Sequence, residues 1–321
     1  MKSRPTSLVS LLVITALVAP TWATDLGDPA PPLKVAEWVK GDLVDIKEGV
    51  GKNVYVIEFW ATWCGPCIVN IPHLTKLQKD YRDKGVIIVS VSVDGERTRG
   101  DVTGFVKKRN DDMGYTVALD TKDGDTAKAY MKAFMVMGIP NAFIVDRQGK
   151  LAWQGHPMEM EPVLKAVLEG NFDLEAAKKA DRERRRMVEK RVKAMEVIEK
   201  YFSLITSSEN PDEAQELGQK ALAAIDPKDA MLLNSFAWDL LTNEAIQYRD
   251  LRFAMTVAKA AYDADPQDAA IVDTYARALF DTGKHKDAIE YQKKAVELAK
   301  ENERMQAELR KTLQRYERAA G

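Results

Sequence analysis

Beyond residue 50, two neighbouring stretches of the chain are almost entirely apolar, and a helix-like pattern follows the first of them. The first stretch covers residues 54–59, and the second, rich in β-branched residues, covers residues 85–94. Runs of this kind are typical of parallel strands whose two faces are both covered. Between the two runs, apolar residues recur at helical spacing: Ile68, Ile71, Leu74, Leu77 and Tyr81. The pattern predicts a strand, a tight turn and a helix, and then a second central strand.

The pattern across residues 24–172 alternates strand and helix signals and predicts one α/β domain. Residues 24–50 combine prolines with scattered apolar positions and are expected to lie along the sheet as a short extended segment. Strand patterns recur at residues 116–119 and, as an edge strand, at residues 151–153. Helical patterns appear in three further segments: the region of Phe105 and Val106, residues 126–134, and residues 161–169.

Beyond residue 173 the strand pattern disappears and the chain repeats itself. Residues 226–230, Asp-Pro-Lys-Asp-Ala, recur 39 positions later as Asp-Pro-Gln-Asp-Ala at residues 265–269. The positions that follow the two segments run in step: Leu232 with Ile271, Phe236 with Tyr275, Ala237 with Ala276, and Leu240 with Leu279. An internal repeat of this length indicates stacked helical units that share one core. Residues 173–321 are therefore predicted to form an all-α domain of helical hairpins.

The second repeat resembles a tetratricopeptide (TPR) hairpin, whose standard length is about 34 residues. The matching positions are Tyr275, Ala276, Gly283, Ala288, Tyr291 and Ala295. Residues 192–207 and 211–225 are a candidate for an earlier, degenerate copy, and residues 286–319 for a last hairpin or capping helix. TPR-like arrays bind peptides or hold domains apart. The resemblance therefore implies either a peptide or protein partner for this domain or a spacer role.

The charges of the chain are nearly balanced and locally concentrated. The formal net charge is −2, or −4 without Lys2 and Arg4, so the protein has no general attraction for nucleic acid. Residues 181–200 are dense in charges of alternating sign. We favour the interpretation that they form the solvated face of a linking helix, and the alternative is a basic strip that docks a partner.

The first 23 residues have the pattern of a secretory signal. Lys2 and Arg4 form a basic start, residues 8–19 are apolar, and Ala23 stands at the expected cleavage edge. The apolar part is shorter than the roughly 20 residues that span a bilayer, although an uncleaved anchor remains the alternative. We therefore predict an exported, periplasmic protein.

Candidate chemistry is concentrated in residues 60–67, which contain both cysteines of the chain, Cys64 and Cys67. Cys64 falls where the predicted helix begins. The first N–H groups of a helix lack internal partners and carry partial positive charge, so they stabilise a thiolate and lower the pKa of the thiol. Pro66 suits the first helical turn, where its missing N–H loses nothing.

Two other roles for this cysteine pair fit the sequence less well. A structural disulfide between Cys64 and Cys67 would close a loop of four residues. The chain-entropy formula gives such a loop only about 2 kcal/mol. A zinc site would need two further ligands, and His73, His156 and His285 are scattered without ligand spacing. Reversible dithiol–disulfide chemistry is the interpretation that the pair favours.

The run Glu-Phe-Trp-Ala-Thr-Trp-Cys-Gly-Pro-Cys at residues 58–67 resembles the active-site segment of the thioredoxin superfamily. Glu58 stands where thioredoxins keep a buried Asp, and Pro72 matches a helix-kinking proline. Residues 138–150 resemble the cis-proline loop and the hairpin that follows it. The resemblance covers about residues 26–170 and implies a thioredoxin-like α/β fold, with a central mixed sheet flanked by helices. The opening residues 27–31 and the long middle section are similar to the secreted TlpA and redoxin branch.

This resemblance implies a thiol–disulfide oxidoreductase that uses no cofactor beyond the Cys64–Cys67 couple and no metal. It implies that Cys64 attacks, Cys67 resolves the mixed disulfide, and Glu58 accepts a proton from Cys67 through water. A cis Pro140 would let Ile139 pair with an extended substrate chain, as in β-augmentation. The remaining substrate-contacting positions are Trp63, Gly65 and Pro66. The implied partners are protein disulfides and a membrane electron donor.

Two alternatives stay open from the sequence. A peroxidase of the redoxin type is disfavoured, because the Pro-x-x-x-Thr-x-x-Cys lead-in of such enzymes does not precede Cys64. The second alternative is a non-catalytic protein, whose helical domain is a scaffold that docks a partner and whose thiols only direct this docking.

The two tryptophans of the motif are expected to have different roles. Trp63 is expected to lie on the docking surface, and Trp60 is expected to pack inside the protein.

Overall fold

The computed structural model describes residues 25–95, 99–207, 211–246 and 249–320. The predicted signal segment, residues 1–23, lies outside the described residues. The chain divides into two compact units, Met1–Arg185 and Arg186–Gly321. The first contains the sheet, and the second consists of helices, in agreement with the predicted fold classes. The predicted domain boundary after residue 172 stays a prediction.

The sheet of the first unit has six strands among the described residues. They are β1 (Val35–Lys40), β2 (Val54–Trp60), β3 (Val86–Ser92), β4 (Thr116–Asp120), β5 (Asn141–Val145) and β6 (Leu151–Gly155). Their order is β1-β4-β3-β2-β5-β6. The pairs β2–β3 and β3–β4 are parallel and the other neighbours antiparallel, so the predicted mixed sheet is confirmed. The edge strand β1 pairs with β4 irregularly, with register shifts after Val35 and after Trp38.

Helices flank this sheet. They are α1 (Gly65–Tyr81), α2 (Arg99–Lys108), α3 (Asp125–Ala127) and α4 (Met160–Glu169). The helix predicted over residues 126–134 is shorter than expected. It is the single turn α3, continued by a widened turn over Lys128–Lys132, after which the N–H of Val136 donates back to the carbonyl of Met131.

Alternation along β2 separates two cores, although all seven of its residues are buried. Val54, Val56 and Trp60 belong to the cluster that includes α1, Cys64 and Cys67. Ile57 and Phe59 belong to the cluster on the opposite face. Because strand side chains point alternately to the two faces, residue 58 shares the face of α1 and the cysteines.

The helices of the second half of the chain are α5 (Leu174–Ser207), α6 (Pro211–Ala224), α7 (Ala230–Thr242), α8 (Leu251–Ala264), α9 (Ala269–Asp281), α10 (His285–Leu298) and α11 (Glu303–Ala320). The repeated Asp-Pro-x-Asp segment ends in a helix cap. The carboxylate of Asp229 accepts from the N–H of Leu232, and that of Asp268 accepts from the N–H groups of Ala270 and Ile271. The repeat thus marks the start of α7 and of α9.

The beginning of α5 departs from the sequence-based interpretation. Leu174 and Ala177 pack against the first unit's core, and α5 continues as one helix of 34 residues. The prediction of a solvated charged face is wrong for Asp181, Arg184 and Arg185, whose side chains are only 4%, 32% and 17% exposed. Within the described ranges, we find no helix whose length and apolar character would let it cross a membrane.

Candidate active site

Cys64 stands at the junction of β2 and α1, as the sequence predicts. It is the N-cap of α1, and its Sγ accepts from the N–H of Cys67 at 3.2 Å. Pro66 occupies the first turn of the helix. Cys64 and Cys67 form a disulfide and are 5% and 2% exposed. The sulfur of Cys64 therefore receives a backbone N–H and the positive end of the helix dipole, which stabilise negative charge on it once the disulfide is reduced.

The turn before Cys64 is held by a buried carboxylate that the sequence analysis missed. Asp94 follows β3, and its Oδ2 accepts from the N–H of Thr62 at 2.9 Å and from the hydroxyl of Ser92 at 2.7 Å. Its Oδ1 accepts from the hydroxyl of Thr62 at 2.9 Å. The sequence did contain a signal. An Asp directly after a parallel strand lies at the sheet edge where the neighbouring parallel strand also ends.

Glu58 lies on the cysteine face of β2 and is 1% exposed. Burial raises the pKa of Glu58 from 4.5 to about 8, and a hydrogen bond donated by the hydroxyl of Ser90 opposes this rise. Ser90, which sequence reasoning also missed, is the register partner of Glu58 on β3. Oε1 of Glu58 has no hydrogen-bond partner within the described part of the protein.

A further acid lies near this carboxyl. Burial, and secondarily the charge of Glu58, raise the pKa of Tyr115 well above its usual value. Both groups therefore favour their protonated forms near neutral pH, and Glu58 is the one whose pKa of about 8 permits proton exchange there.

The loop before β5 brings its backbone to the disulfide. The peptide bond between Ile139 and Pro140 is cis, as the sequence predicts. The carbonyl oxygen of Ile139 lies 3.8 Å from Sγ of Cys64. Ile139, which the sequence predicts to contact the substrate, therefore has its main chain next to the sulfur of Cys64.

The two tryptophans of the motif differ in exposure. Trp63 is 67% exposed, whereas Trp60 is 2% exposed and packs on Phe105 with 5.5 Å between ring centroids. The expectation that Trp60 packs is confirmed. Gly65 and Pro66 are exposed beside the disulfide. An open surface therefore borders sulfur atoms that are themselves almost covered.

Cys64, Cys67 and the main chain of Ile139 meet at one end of the sheet, as the sequence predicts. Glu58 lies inside the core, below the exposed surface around the disulfide. The arrangement offers a buried sulfur pair, a carboxyl that holds a proton near neutral pH, and a main-chain carbonyl next to one sulfur. These are the elements that disulfide exchange with an extended chain requires.

Comparison with known proteins gives matches to the first half of the chain. Residues 25–168 match the Redoxin family. Protein FixW of Rhizobium leguminosarum is 31% identical over 157 residues, which are 46% of this chain and 68% of that protein. Thiol-disulfide oxidoreductase ResA of Bacillus thuringiensis subsp. konkukian is 34% identical over 127 residues, which are 40% of this chain and 67% of that protein.

Among solved structures, a putative thiol:disulfide interchange protein DsbE from Chlorobium tepidum is similar to this chain. The identity is 32% and the TM-score 0.38, and the match covers 45% of this chain and 96% of that one.

Proposed function

Because the chain belongs to the redoxin family of thioredoxin-like thiol–disulfide oxidoreductases, we propose that it reduces disulfide bonds in partner proteins outside the cytoplasm. The observation that carries the proposal is the position of Cys64. Its sulfur caps α1, receives the N–H of Cys67 and is already bonded to the second cysteine. A helix N-terminus lowers a thiol pKa, and a lowered pKa makes the sulfur a nucleophile near neutral pH.

The proposed reaction begins with the reduced protein. The Cys64 thiolate attacks one sulfur of a partner disulfide, that S–S bond breaks, and the other partner sulfur leaves as a thiolate. The Cys67 thiolate then attacks Sγ of Cys64, the mixed disulfide breaks, and the Cys64–Cys67 bond forms. The partner gains two electrons and ends with two thiols. A membrane dithiol donor is proposed to return the protein to its reduced form.

Other residues support these steps in the proposal. In its ionised form, Glu58 accepts the proton that Cys67 loses before its attack. Its pKa of about 8 is close to that of a thiol, so the ionised minority near neutral pH is basic enough for this transfer. The main chain of Ile139, ahead of Pro140, pairs with the extended substrate. Trp63, Gly65 and Pro66 form the exposed surface on which the partner docks.

The direction of the reaction and its location rest on the sequence. The Gly-Pro dipeptide between the cysteines matches reducing members of the superfamily, and thioredoxin itself has a potential of about −270 mV. The apolar segment near the N-terminus supports export. A redox titration of the Cys64–Cys67 couple separates a reductant from an oxidant, since the two classes differ by up to about 150 mV.

The exchange mechanism is tested by trapping. Without Cys67 the mixed disulfide on Cys64 has no resolving thiol, so the Cys67→Ser protein should accumulate covalent complexes with partner proteins that disappear on reduction. The matched control is the Cys64→Ser, Cys67→Ser double variant, which should form none. If Cys67→Ser traps no more protein than this control, exchange through Cys64 is ruled out.

A further inference from the structure

The first turns of α5 contact the segment that leads to the active-site proline. We define the substrate loop as residues 134–140, from Phe134 to Pro140. A guanidinium nitrogen of Arg184, Nη2, donates to the carbonyl oxygen of Phe134 at 2.7 Å. The guanidinium of Arg185 lies over the ring of Phe134, 5.2 Å from its centroid. A helix far along the chain therefore holds the start of this loop by its main chain and by its side chain.

Arg184 and Arg185 are themselves held in place by carboxylates. Asp181, whose side chain is 4% exposed, lies 2.7 Å from Nη2 of Arg184 and 2.8 Å from Nε of Arg185. Asp25 lies 2.8 Å from Nη2 of Arg185. Charged groups that are partly buried and paired from two sides have few alternative positions. Asp181 accepts from both Nε and Nη2 of Arg184, which limits the positions that this guanidinium can take beside the loop.

The substrate loop needs such support. Met135, directly after the clamped carbonyl, has a φ of +53°, in the left-handed region that a side chain disfavours. The ring of Phe134 is buried against Phe143, with 5.4 Å between centroids. At its other end the loop enters β5, where Asn141 pairs with Phe59. The conformation of Met135 persists because both ends of the loop are fixed.

We propose that Arg184 is a positioning residue that fixes the substrate loop so that the main chain of Ile139 meets a polypeptide disulfide at Cys64. The inference rests on the proposed function. The carbonyl of Ile139, 3.8 Å from Sγ of Cys64, is five residues from the carbonyl that Arg184 holds. A protein substrate uses this main chain as a pairing edge, whereas a small disulfide without a peptide backbone has nothing to pair. Loss of the clamp should therefore affect the two substrates unequally.

The test compares two disulfides in single-turnover reactions. The reduced full-length protein is mixed with insulin or with cystamine, a small disulfide that has no peptide backbone, and formation of the Cys64–Cys67 bond is followed by acid quench and alkylation. Arg184→Met keeps the apolar stem and removes the donors. Because a misplacement of about 1 Å can slow a reaction by up to about a hundredfold, we expect the ratio of the insulin rate to the cystamine rate to fall about tenfold.

The controls come from the same helix. Arg186→Met removes an exposed guanidinium and should leave the ratio unchanged. Arg184→Lys keeps the charge but not the planar fork of donors, so it should give an intermediate ratio, and it carries the test if Arg184→Met does not fold. If both rates of Arg184→Met fall in step, or neither falls, the positioning role is wrong. If the unmodified protein reacts with neither disulfide, the proposed function fails, and this inference with it.

Discussion

Replacing Glu58 with Gln tests whether the core of this protein holds a carboxyl group in its protonated form. The side chain is 1% exposed, and burial raises its pKa from 4.5 to about 8. One pKa unit corresponds to about 1.4 kcal/mol. Ionised Glu58 therefore destabilises the folded, oxidised protein by up to about 5 kcal/mol. Glutamine has nearly the same shape, keeps an acceptor for the Ser90 hydroxyl and does not titrate.

The sign of the pH dependence follows from the two states. Well below pH 4.5 both the folded and the unfolded protein hold the proton, so Glu58 makes stability neither rise nor fall with pH. Between 4.5 and about 8 the unfolded chain releases the proton while the folded protein keeps it, and stability falls as pH rises. Between about pH 6 and about pH 9 the unmodified protein should lose about 3 kcal/mol relative to Glu58→Gln.

The measurement is urea unfolding of the oxidised protein across this pH range. The disulfide is kept intact so that thiol titration does not contribute. Glu37→Gln, which removes an exposed carboxylate on β1, is the matched control and should follow the pH curve of the unmodified protein. Parallel curves for the unmodified protein and Glu58→Gln would refute the claim that burial keeps this carboxyl protonated.

Two further substitutions test hydrogen bonds that the structure assigns to carboxylates. Asp94→Ala leaves the N–H of Thr62 without its acceptor and should lower the free energy of unfolding by about 3 kcal/mol. The control Asp123→Ala removes an exposed carboxylate and should cause no such loss. Equal losses for the two variants in urea unfolding would contradict the claim that Asp94 holds the turn before Cys64. Asp268→Ala removes the N-cap of α9 and should cost about 1 kcal/mol, measured against Gln267→Ala beside it. If Asp268→Ala leaves the free energy of unfolding unchanged, this cap contributes nothing to stability.

The parts of the fold that the sequence predicts well are those governed by local pattern. The strand predicted at residues 116–119 is Thr116–Asp120, and the helix predicted at residues 161–169 is Met160–Glu169. Cys64 at a helix start and the cis bond before Pro140 follow from motifs confined to a few residues. Short-range spacing and turn chemistry are enough for such features.

Contacts between distant parts of the chain could not be predicted in this way. The bond from Thr62 to Asp94 joins residues 32 positions apart, and that from Arg184 to Phe134 joins residues 50 apart. Pairing of Glu58 with Ser90 depends on the register of β2 and β3. A one-residue slip would turn that hydroxyl to the other face. Nothing in the local pattern reports such a register.

In the charged segment that begins at residue 181, the local pattern likewise fails to show which side chains are buried by distant contacts. Alternating charges on a helix usually indicate exposure, and Arg182, Glu183 and Arg186 are indeed exposed. Arg184 is different because it contacts the end of the segment that follows α3, and Asp181 is different because it accepts from Arg184. There the carbonyl of Phe134 accepts from a guanidinium, and the helix predicted through residue 134 ends early.

The irregular pairing of β1 has a consequence for the protein in concentrated solution. An outermost strand displays unpaired N–H and C=O groups, to which a second molecule could add a strand. Its shifts after Val35 and after Trp38 break that row into short pieces, and the exposed charge of Glu37 lies between them. Addition of a strand from a second molecule is therefore disfavoured at this border of the sheet.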